Sequence, residues 1–373
     1  MGNVCQIVSG STPKTTIPEY WDGEIKWITP AEIAEDTYII NDSIRKITEL
    51  GVQKTGLTAF PKGTVILSSR APIGKVAIAG CEMYCNQGFK NLICSSRLNN
   101  RYLYWFLKGK KDFLNTLGRG ATFKEISKQI VSNIEIELPS VDIQEQIADK
   151  FDKLQSIITH RRTQLEKLDL LVKARFVEMF GDPVSNPYNW EKISLGELAE
   201  IKIGPFGSLL HKEDYVQNNH ALINPSHIID GKVFADMKLT VSDEKYKELH
   251  AYQLFTGDVV MGRRGEMGRC AVVTENGLLC GTGSMIIRTN GRLKADYIQK
   301  IISFPSFKKT IEDMAVGQTM PNLNVPIVSK FMIICPPIEV QEQYYSFVEK
   351  TDKSKATVQK ALDEAQLLFD SLM

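Results

Sequence analysis

Two short stretches of the sequence each place a glycine between two basic side chains. They read SSRAPIGK (68–75) and GRRGEMGR (262–269), and each lies between two runs of β-branched residues. Arginine can donate two hydrogen bonds to guanine in the major groove or bind a phosphate, and a hairpin tip can enter a groove. A solubilising surface turn would have the same composition, so DNA binding and a simple turn both remain open.

A second group of residues has the composition of a nuclease centre. Asp22, Glu24 and Lys26 alternate in DGEIK (22–26), which would place two carboxylates and a lysine on one face of a strand. Such a centre holds Mg²⁺ through clustered carboxylates, and the sequence does not identify the further acidic residue that it needs. Nuclease activity is therefore kept only as an alternative.

Other patterns of catalytic sites are missing from the sequence. It has no G-x-x-x-x-G-K-[ST] phosphate-binding loop, no G-x-G-x-x-G motif and no metal-ligand spacing among its five histidines. Neither NPYN (186–189) nor INPS (223–226) has the double proline of a loop that holds a flipped base. The seven scattered cysteines should be reduced and pack as small apolar side chains. We therefore expect no catalytic residue, metal or cofactor on this chain.

Composition and charge describe an ordinary globular protein. The chain has 373 residues, of which 43% are hydrophobic and 24% charged, and its net charge is +1. Residues 101–130 nevertheless hold seven basic against two acidic side chains, as either a nucleic-acid site or a solvated helix face would. There is no run of 18 apolar residues and no signal-peptide pattern, so we expect a cytoplasmic protein that contacts no membrane.

The basic loops recur because the chain contains an internal repeat. PSVDIQEQ (139–146) returns as PPIEVQEQ (336–343), and the same offset of 194 to 197 residues pairs Arg70 with Arg264. Repeats of solenoids and propellers have periods of only about 20 to 50 residues. The long offset therefore indicates a duplicated domain.

Each copy of the repeated phrase is followed by the periodicity of a long helix. The apolar seam consists of Phe151, Leu154, Ile158, Leu165, Leu168, Val172 and Met179 in the first helix, and of Tyr344, Phe347, Thr351, Val358, Ala361, Ala365, Leu368 and Leu372 in the second. Gly181 and Pro183 should end the first helix. A helix with one apolar stripe needs a partner, so we expect the two to pair as an antiparallel coiled coil.

The regions before the helices alternate short β-branched runs with glycine, proline and short helical segments, which predicts α/β (α+β) domains. The expected order is a first domain at 1–141, a spacer helix at 142–181, a second domain at 182–338 and a C-terminal helix at 339–373. Antiparallel pairing of the helices would relate the two domains by a pseudo-twofold axis.

In these features the sequence resembles the specificity (S) subunit of type I restriction–modification systems, over nearly its whole length. The resemblance rests on the two Q-E-Q phrases, on ARFVEMFGDPVSNPYNWEKISLGELAEI (174–201), on GPFGSLLHKEDY (204–215) and on the G-x-T triplets at 120–122 and 317–319. It implies two target recognition domains, each of which reads one half of a bipartite, asymmetric sequence in double-stranded DNA.

The resemblance also implies what the helices and the partners do. The helices would set the gap between the half-sites and dock two methyltransferase (M) subunits, and restriction (R) subunits would join in some systems. The chain would be a non-catalytic subunit, with S-adenosylmethionine, ATP and Mg²⁺ bound on its partners. The alternative is the recognition portion of a single-chain modification enzyme, with its nuclease centre at Asp22, Glu24 and Lys26.

The candidate site residues follow from the basic loops, the repeated phrases and the family resemblance. The candidate DNA-binding residues are Ser69, Arg70, Lys75, Gln87, Thr122, Lys124, Arg263, Arg264, Arg269, Gln318 and Thr319. The candidate partner-binding residues are Gln144, Glu145, Gln341 and Glu342, on Gln-Glu-Gln edges that we expect to be exposed. We also expect the carboxylates of Asp142 and Glu339 to cap the helix N-termini.

Overall fold

The computed structural model of the chain describes residues 1–70, 72–120, 124–315 and 322–373. They form two compact units: unit 1 comprises Met1–Gln164 with Val358–Met373, and unit 2 comprises Leu165–Thr357. Each long helix contributes to both units, and the predicted domain boundaries stay a prediction. None of the helices in the described part of the chain combines the length and apolar character needed to span a bilayer.

Unit 1 begins with a region of short strands and short helices. Its strands are β1 (Cys5–Ser9), β2 (Trp21–Ile28), β3 (Ile39–Ile40), β4 (Arg45–Ile47), β5 (Val65–Leu67), β6 (Val76–Ala79), β7 (Tyr84–Cys85) and β8 (Lys90–Cys94). Its helices are α1 (Glu49–Thr55), α2 (Asn100–Gly109), α3 (Lys111–Thr116) and α4 (Lys128–Asn133), followed by the long helix α5 (Val141–Phe180), which continues into unit 2.

The strands of unit 1 form two sheets. One has the order β1-β8-β5-β6-β3 and the other the order β4-β2-β7. Every side chain of β5 and β6 is buried, as expected for central strands covered on both faces. Phe60 and Phe89 are buried in the same hydrophobic core as side chains of β5 and β6.

Unit 2 also consists of short strands and short helices, and it has more strands than unit 1. The strands are β9 (Lys192–Ser194), β10 (Ala199–Ile203), β11 (Tyr215–Val216), β12 (His220–Ile223), β13 (Ile228–Ile229), β14 (Lys232–Val233), β15 (Thr240–Val241), β16 (Gln253–Leu254), β17 (Val259–Gly262), β18 (Cys270–Val272), β19 (Leu278–Cys280), β20 (Ser284–Thr289) and β21 (Met332–Ile334). The helices are α6 (Leu195–Leu198), α7 (Asp243–Glu248), α8 (Ala295–Ile302), α9 (Pro305–Met314), α10 (Val325–Ser329) and the long α11 (Ile338–Leu372), whose end belongs to unit 1.

The topology confirms the repeat that the sequence predicts. The order β10-β20-β17-β18 in unit 2 matches β1-β8-β5-β6 in unit 1, and the parallel pair β12–β19 matches β2–β7. Gly10 and Gly204 follow the first strand of each matching sheet. A Cβ on Gly10 would lie 2.0 Å from the Cys85 carbonyl oxygen, and one on Gly204 would lie 2.1 Å from that of Gly281. Only glycine lets the two backbones approach so closely.

The long helices contact each other in an antiparallel sense within each unit. In unit 1 the early residue Phe151 of α5 meets the late residue Phe369 of α11, with ring centroids 5.7 Å apart. In unit 2 the late residue Asp169 of α5 forms an ion pair with Lys355 of α11, with Oδ1 and Nζ 2.7 Å apart. The predicted coiled coil is therefore present.

The predicted seam of the second helix is wrong near its end. Leu368 and Leu372 are about half exposed, whereas Leu362 and Phe369 are buried. After Val358 the next buried residues are Leu362, four positions on, and Phe369, seven positions further. The apolar face therefore lies one residue beyond the predicted Ala361 and Leu368. Phe369 reaches Trp105 and Phe151, which explains why it replaces Leu368.

Candidate nucleic-acid interface

Both basic loops connect neighbouring antiparallel strands, β5 to β6 in unit 1 and β17 to β18 in unit 2. Gly74 and Gly268 have φ of +91° and +74°, in the left-handed region that favours glycine. A Cβ on Gly74 would lie 3.1 Å from Cγ of Lys111, and one on Gly268 would lie 2.8 Å from the carbonyl oxygen of Ile302. The glycines thus allow each loop to turn tightly against the helix behind it.

Arg70 and Arg264 occupy equivalent positions in the two loops. The backbone of Arg70 forms an isolated β-bridge with Glu125, and that of Arg264 forms one with Asn322. Arg264 is exposed and Arg70 is half-buried beside Gly88. Neither guanidinium has a hydrogen bond or an ion pair among the residues that the structure describes. Within the described residues, both can therefore reach an external ligand without first leaving a partner.

Two further basic residues converge on Arg70. Arg119 exchanges two backbone hydrogen bonds with Glu125, at 3.1 and 3.0 Å, so Glu125 bridges both arginines. Lys124 precedes Glu125, and the side chains of Arg119 and Lys124 are exposed. The backbone segments that carry Arg70, Arg119 and Lys124 thus meet at Glu125, and these three residues are hereafter called the unit 1 cluster. Sequence reasoning missed Arg119, although it lies in the basic stretch 101–130.

The rest of that stretch is partly neutralised within unit 1. Arg101 pairs with Asp149 and with Asp152, each at 2.8 Å, and Lys111 pairs with Glu35 at 2.8 Å. The hydrogen bond from Lys111 holds the pKa of Glu35 below its usual range. These two bases stabilise contacts between elements of the fold, whereas Arg119 and Lys124 of the same stretch are exposed.

Lys75 and Arg269, the second bases of the two loops, point into the fold. Lys75 Nζ donates to the Pro30 carbonyl at 2.9 Å, and Arg269 Nη1 donates to the Pro225 carbonyl at 3.2 Å. Pro30 and Pro225 are themselves equivalent positions of the repeat, at the starts of two short 3-10 turns. The matching contacts give both bases a structural role. Their binding to DNA stays a prediction.

A polar cavity of about 380 Å³ lies beside the basic loop of unit 2. In its wall, Glu266 accepts hydrogen bonds from Lys308 Nζ and from Arg269 Nη2, both at 2.8 Å. These two cations lower the pKa of Glu266 to about 2. The loop thus supplies a counter-ion to Arg269 but none to Arg264 within the described residues.

The side chain of Ser69 is fully buried, whereas its selection as a DNA-binding residue needs an exposed hydroxyl, so its binding to DNA stays a prediction that burial disfavours. Lys90 Nζ donates to Ser69 Oγ at 3.3 Å and pairs with Glu125 at 3.1 Å. This buried contact was not visible in the sequence because Lys90 lies on another strand. Ser69 therefore helps to hold the strand end from which Arg70 projects.

Arg263 occupies the position in unit 2 that Ser69 has in unit 1. The backbone N–H of each donates to an equivalent glycine carbonyl, Gly88 at 2.8 Å and Gly283 at 3.0 Å. Nε of Arg263 donates to Oδ1 of Asn322 at 3.1 Å, and burial lowers the pKa of Arg263. Part of its guanidinium is thus committed to the fold beside the exposed Arg264.

Gln87 and Lys124 are exposed, as a ligand-binding role requires. The hydroxyl of Thr12 donates to Oε1 of Gln87 at 2.5 Å, which fixes the amide next to Gly88 and Arg70. Sequence reasoning missed Thr12, although it follows the repeated Gly10 by two residues. The remaining candidates, Thr122, Gln318 and Thr319, lie outside the described residues.

The expectation that the Gln-Glu-Gln edges are exposed is wrong for their first glutamines, since Gln144 and Gln341 are fully buried. Oε1 of Gln144 accepts from the Asn99 N–H at 2.8 Å, and its Nε2 donates to the carbonyls of Arg97 and Pro139. Gln341 makes the same set of three bonds in unit 2. Buried amides with all of these bonds cannot face a partner, so the two residues anchor the helix starts.

The carboxylates of the repeated phrase remain on the surface. Glu145 and Glu342 are exposed, and Glu342 lies 3.9 Å from Lys294. Asp142 and Glu339 are each the second residue of a helix and not the capping residue before it, so the capping prediction is off by two positions. Their negative charge still suits the helix N-terminus.

The alternative nuclease centre finds no support in the geometry. A register shift between Trp21 and Ile25, with φ of +60° at Asp22, breaks the regular alternation that would align the three side chains. Lys26 Nζ donates to the Asn41 carbonyl and to Sγ of Cys81. No cluster of three or more His, Cys, Asp or Glu side chains suited to a metal occurs in the described residues.

The family and its relatives agree with this architecture. Residues 1–168 and 187–366 match the family described as the type I restriction modification DNA specificity domain. The type I restriction enzyme MjaIX specificity subunit of Methanocaldococcus jannaschii is 28% identical over an alignment that covers 100% of this chain and 90% of the relative.

Two solved structures share the fold. One is the S subunit of a type I restriction–modification system from M. genitalium, which is 14% identical with a TM-score of 0.57 and covers 100% of this chain and 93% of its own. The other, from work on complex assembly and conformational transition of the type I R-M system, is 16% identical with a TM-score of 0.67, covering 100% and 94%. The duplicated sheets, the paired helices and the two matched regions together place this chain in the type I restriction–modification DNA specificity family, as a specificity subunit with two recognition domains.

Proposed function

We propose that each recognition domain binds one half of a bipartite, asymmetric sequence in double-stranded DNA. The observation that carries the proposal is the equivalence of Arg70 and Arg264. Each is fixed by a backbone bridge at the same point of the repeated sheet, and each guanidinium is without an internal partner among the described residues. Arginine at such a position can bind guanine or phosphate.

The surroundings of the two arginines favour unlike half-sites. Arg70 lies with Arg119, Lys124 and the Thr12–Gln87 pair, a surface that offers several positive charges and an oriented amide. Arg264 has Asn322 and Arg263 beside it. Chemically different surfaces on two related domains would recognise different bases, which makes the target asymmetric.

In this proposal the long helices set the gap between the half-sites and dock two M subunits. The exposed carboxylates Glu145 and Glu342, one at each helix start, are the partner-binding candidates that remain on the surface. The chain itself is non-catalytic. S-adenosylmethionine would bind on the M subunits, and ATP and Mg²⁺ on R subunits where the system has them.

One comparison of the purified chain with its assembled complex tests the proposal. The chain is incubated with genomic DNA, Mg²⁺ and S-adenosylmethionine, alone and after co-purification with M subunits from the same host. We expect neither cleavage nor methyl transfer by the chain alone, and methylation of one split, asymmetric sequence by the complex. Cleavage by the chain with Mg²⁺ would instead support the nuclease alternative at Asp22, Glu24 and Lys26.

A further inference from the structure

Cys5 and Cys94 face each other directly across two paired strands. They are register partners in the antiparallel ladder between β1 and β8. The Ser95 N–H donates to the Val4 carbonyl at 2.9 Å, which makes Val4 and Ser95 the adjacent hydrogen-bonded pair. Cys5 and Cys94 are therefore a non-hydrogen-bonded pair, the arrangement that brings opposite side chains closest, with Cα atoms roughly 4.5 Å apart. That separation is within the range that a disulfide spans.

The two thiols also differ in their surroundings in a way that suits this chemistry. Both are free, Cys5 buried and Cys94 half-buried. A hydrogen bond from Cys94 lowers the pKa of Cys5, and the same contact raises that of Cys94. Cys85 and Cys270 are buried without a facing thiol in the described strands, and burial raises the pKa of each to about 12. In the facing pair, by contrast, the contact between the two thiols favours loss of the first proton from the pair and opposes loss of the second.

We propose that Cys5 and Cys94 are a reversible disulfide site whose oxidant is a peroxide. The thiolate of one member of the pair attacks one oxygen of hydrogen peroxide, the O–O bond breaks, and hydroxide leaves and takes up the proton that this thiol lost. The facing thiol then attacks the sulfenic sulfur, the S–O bond breaks, and water leaves with the proton of the second thiol. In total two thiols lose two electrons and two protons, and one peroxide becomes two waters.

The position of the pair predicts what oxidation does. The ladder runs from Cys5 and Cys94 at one end to Ser9 and Lys90 at the other. Thr12 and Gln87 lie just beyond the second end, next to Arg70. The disulfide would therefore fasten β1 to the sheet at the end of the ladder away from the unit 1 cluster, seven residues along each segment from Thr12 and Gln87. Oxidation should stabilise unit 1 and leave the cluster free to bind.

Peptide mapping tests the proposal directly on the full chain. The protein is treated with hydrogen peroxide, blocked with N-ethylmaleimide and cut with trypsin without reduction. Cleavage after Lys14, Lys90 and Arg97 leaves Cys5 alone in peptide 1–14 and Cys94 alone in peptide 91–97. We expect these two peptides to appear joined, 2 Da lighter than their sum, and to separate after dithiothreitol. A Tm that rises by about 5 °C or more on oxidation, and falls again on reduction, would accompany the link.

Three variants complete the test. Cys5→Ser and Cys94→Ser should each abolish the joined peptide and the reversible rise in Tm. Cys335→Ser, which removes a half-buried thiol elsewhere, should behave like the wild type. The proposal is overturned if peroxide leaves both thiols free for N-ethylmaleimide, or if Cys5 proceeds to sulfinic acid while Cys94 stays reduced.

Discussion

The buried side chain of Gln144 is joined to Asn99 by a hydrogen bond, in which the Asn99 N–H donates to Oε1 of Gln144 at 2.8 Å. Lys294 makes the equivalent bond to Oε1 of Gln341 at 3.1 Å. In each case the amide nitrogen of the glutamine also bonds backbone carbonyls of the domain and of the segment before the helix. The start of each long helix is therefore fixed to its domain by a buried side-chain amide.

Gln144→Ala and Gln341→Ala should each destabilise the protein by about 2 to 4 kcal/mol, because each leaves several buried backbone groups without a partner. Urea unfolding followed by circular dichroism measures the change. Glu145→Ala and Glu342→Ala are the matched controls, and as exposed substitutions they should change stability by about 0.5 kcal/mol or less. Equal urea unfolding midpoints for Gln144→Ala and Glu145→Ala would show that the buried amide of Gln144 does not anchor the helix.

Arg70→Ala and Arg264→Ala should weaken DNA binding by the assembled complex by about 1 to 3 kcal/mol each if they contact base edges. Tm should change little, because neither guanidinium has an internal partner among the described residues. Competition binding with the methylated target sequence at two salt concentrations measures the loss. Unchanged affinity in both variants would remove the two arginines from the interface.

The neighbouring bases in the same loops provide the control. Lys75→Ala and Arg269→Ala delete the hydrogen bonds to Pro30 and Pro225, so their main effect should be a lower Tm. If these variants instead lose affinity at unchanged Tm, Lys75 and Arg269 contact DNA after all.

Glu266 should make unit 2 less stable in acid. Its pKa in the folded state is about 2, below its ordinary value of 4.5. The contribution of its ion pairs is therefore complete above about pH 5 and is lost as the pH falls towards 2. Because the side chain of Glu266 is 52% exposed, solvent screening limits this contribution to about 1 kcal/mol.

Glu266→Gln tests this by comparison with the wild type at pH 7, 5 and 3. Urea midpoints should differ most at pH 7 and converge as the pH falls. Glu275→Gln, at an exposed carboxylate of the same unit, should follow the wild type at each pH. A difference that stays constant from pH 7 to pH 3 would contradict the role assigned to the Glu266 carboxylate.

The proposed role of the helices in spacing is open to a deletion experiment. Removing residues 158–164 from α5, together with the facing heptad of α11, preserves the apolar seam and shortens each helix by roughly 10 Å. We expect the gap in the methylated sequence to shift or the activity to be lost, with both half-site sequences unchanged. Sequencing of methylated genomic DNA reports both. Methylation of the original target at its original spacing would show that the helices do not measure the gap.

The duplication, the fold class and the paired helices could be predicted from the sequence because each depends on local pattern. An apolar stripe of α-helical period and a phrase written twice are visible without coordinates. The end of the second seam was predicted wrongly for a physical reason. Phe369 is selected by contact with Trp105 on a different helix, and nothing within α11 distinguishes it from Leu368.

The site was harder to predict, because the partners of a polar side chain lie far away in the sequence. Gln144 looks like a surface residue until Asn99, 45 positions earlier, is placed against it. Ser69 and Lys75 belong to an exposed-looking loop, yet Lys90 and the Pro30 carbonyl bind them within the fold. The equivalence of Arg70 and Arg264 could be predicted from the repeat, since both copies keep an arginine there, and their binding to DNA stays a prediction.

The close backbone approach at Gly10 and Gly204 limits how far the sequences of the two repeats can diverge. Any side chain at either position would overlap a carbonyl oxygen of the neighbouring strand end. Two residues later, Thr12 and Phe206 share no chemistry, and both lie at the surface. A saturation mutagenesis scan should therefore find one intolerant position beside a permissive one in each half, so that new recognition surfaces can evolve while the backbone that presents them stays unchanged.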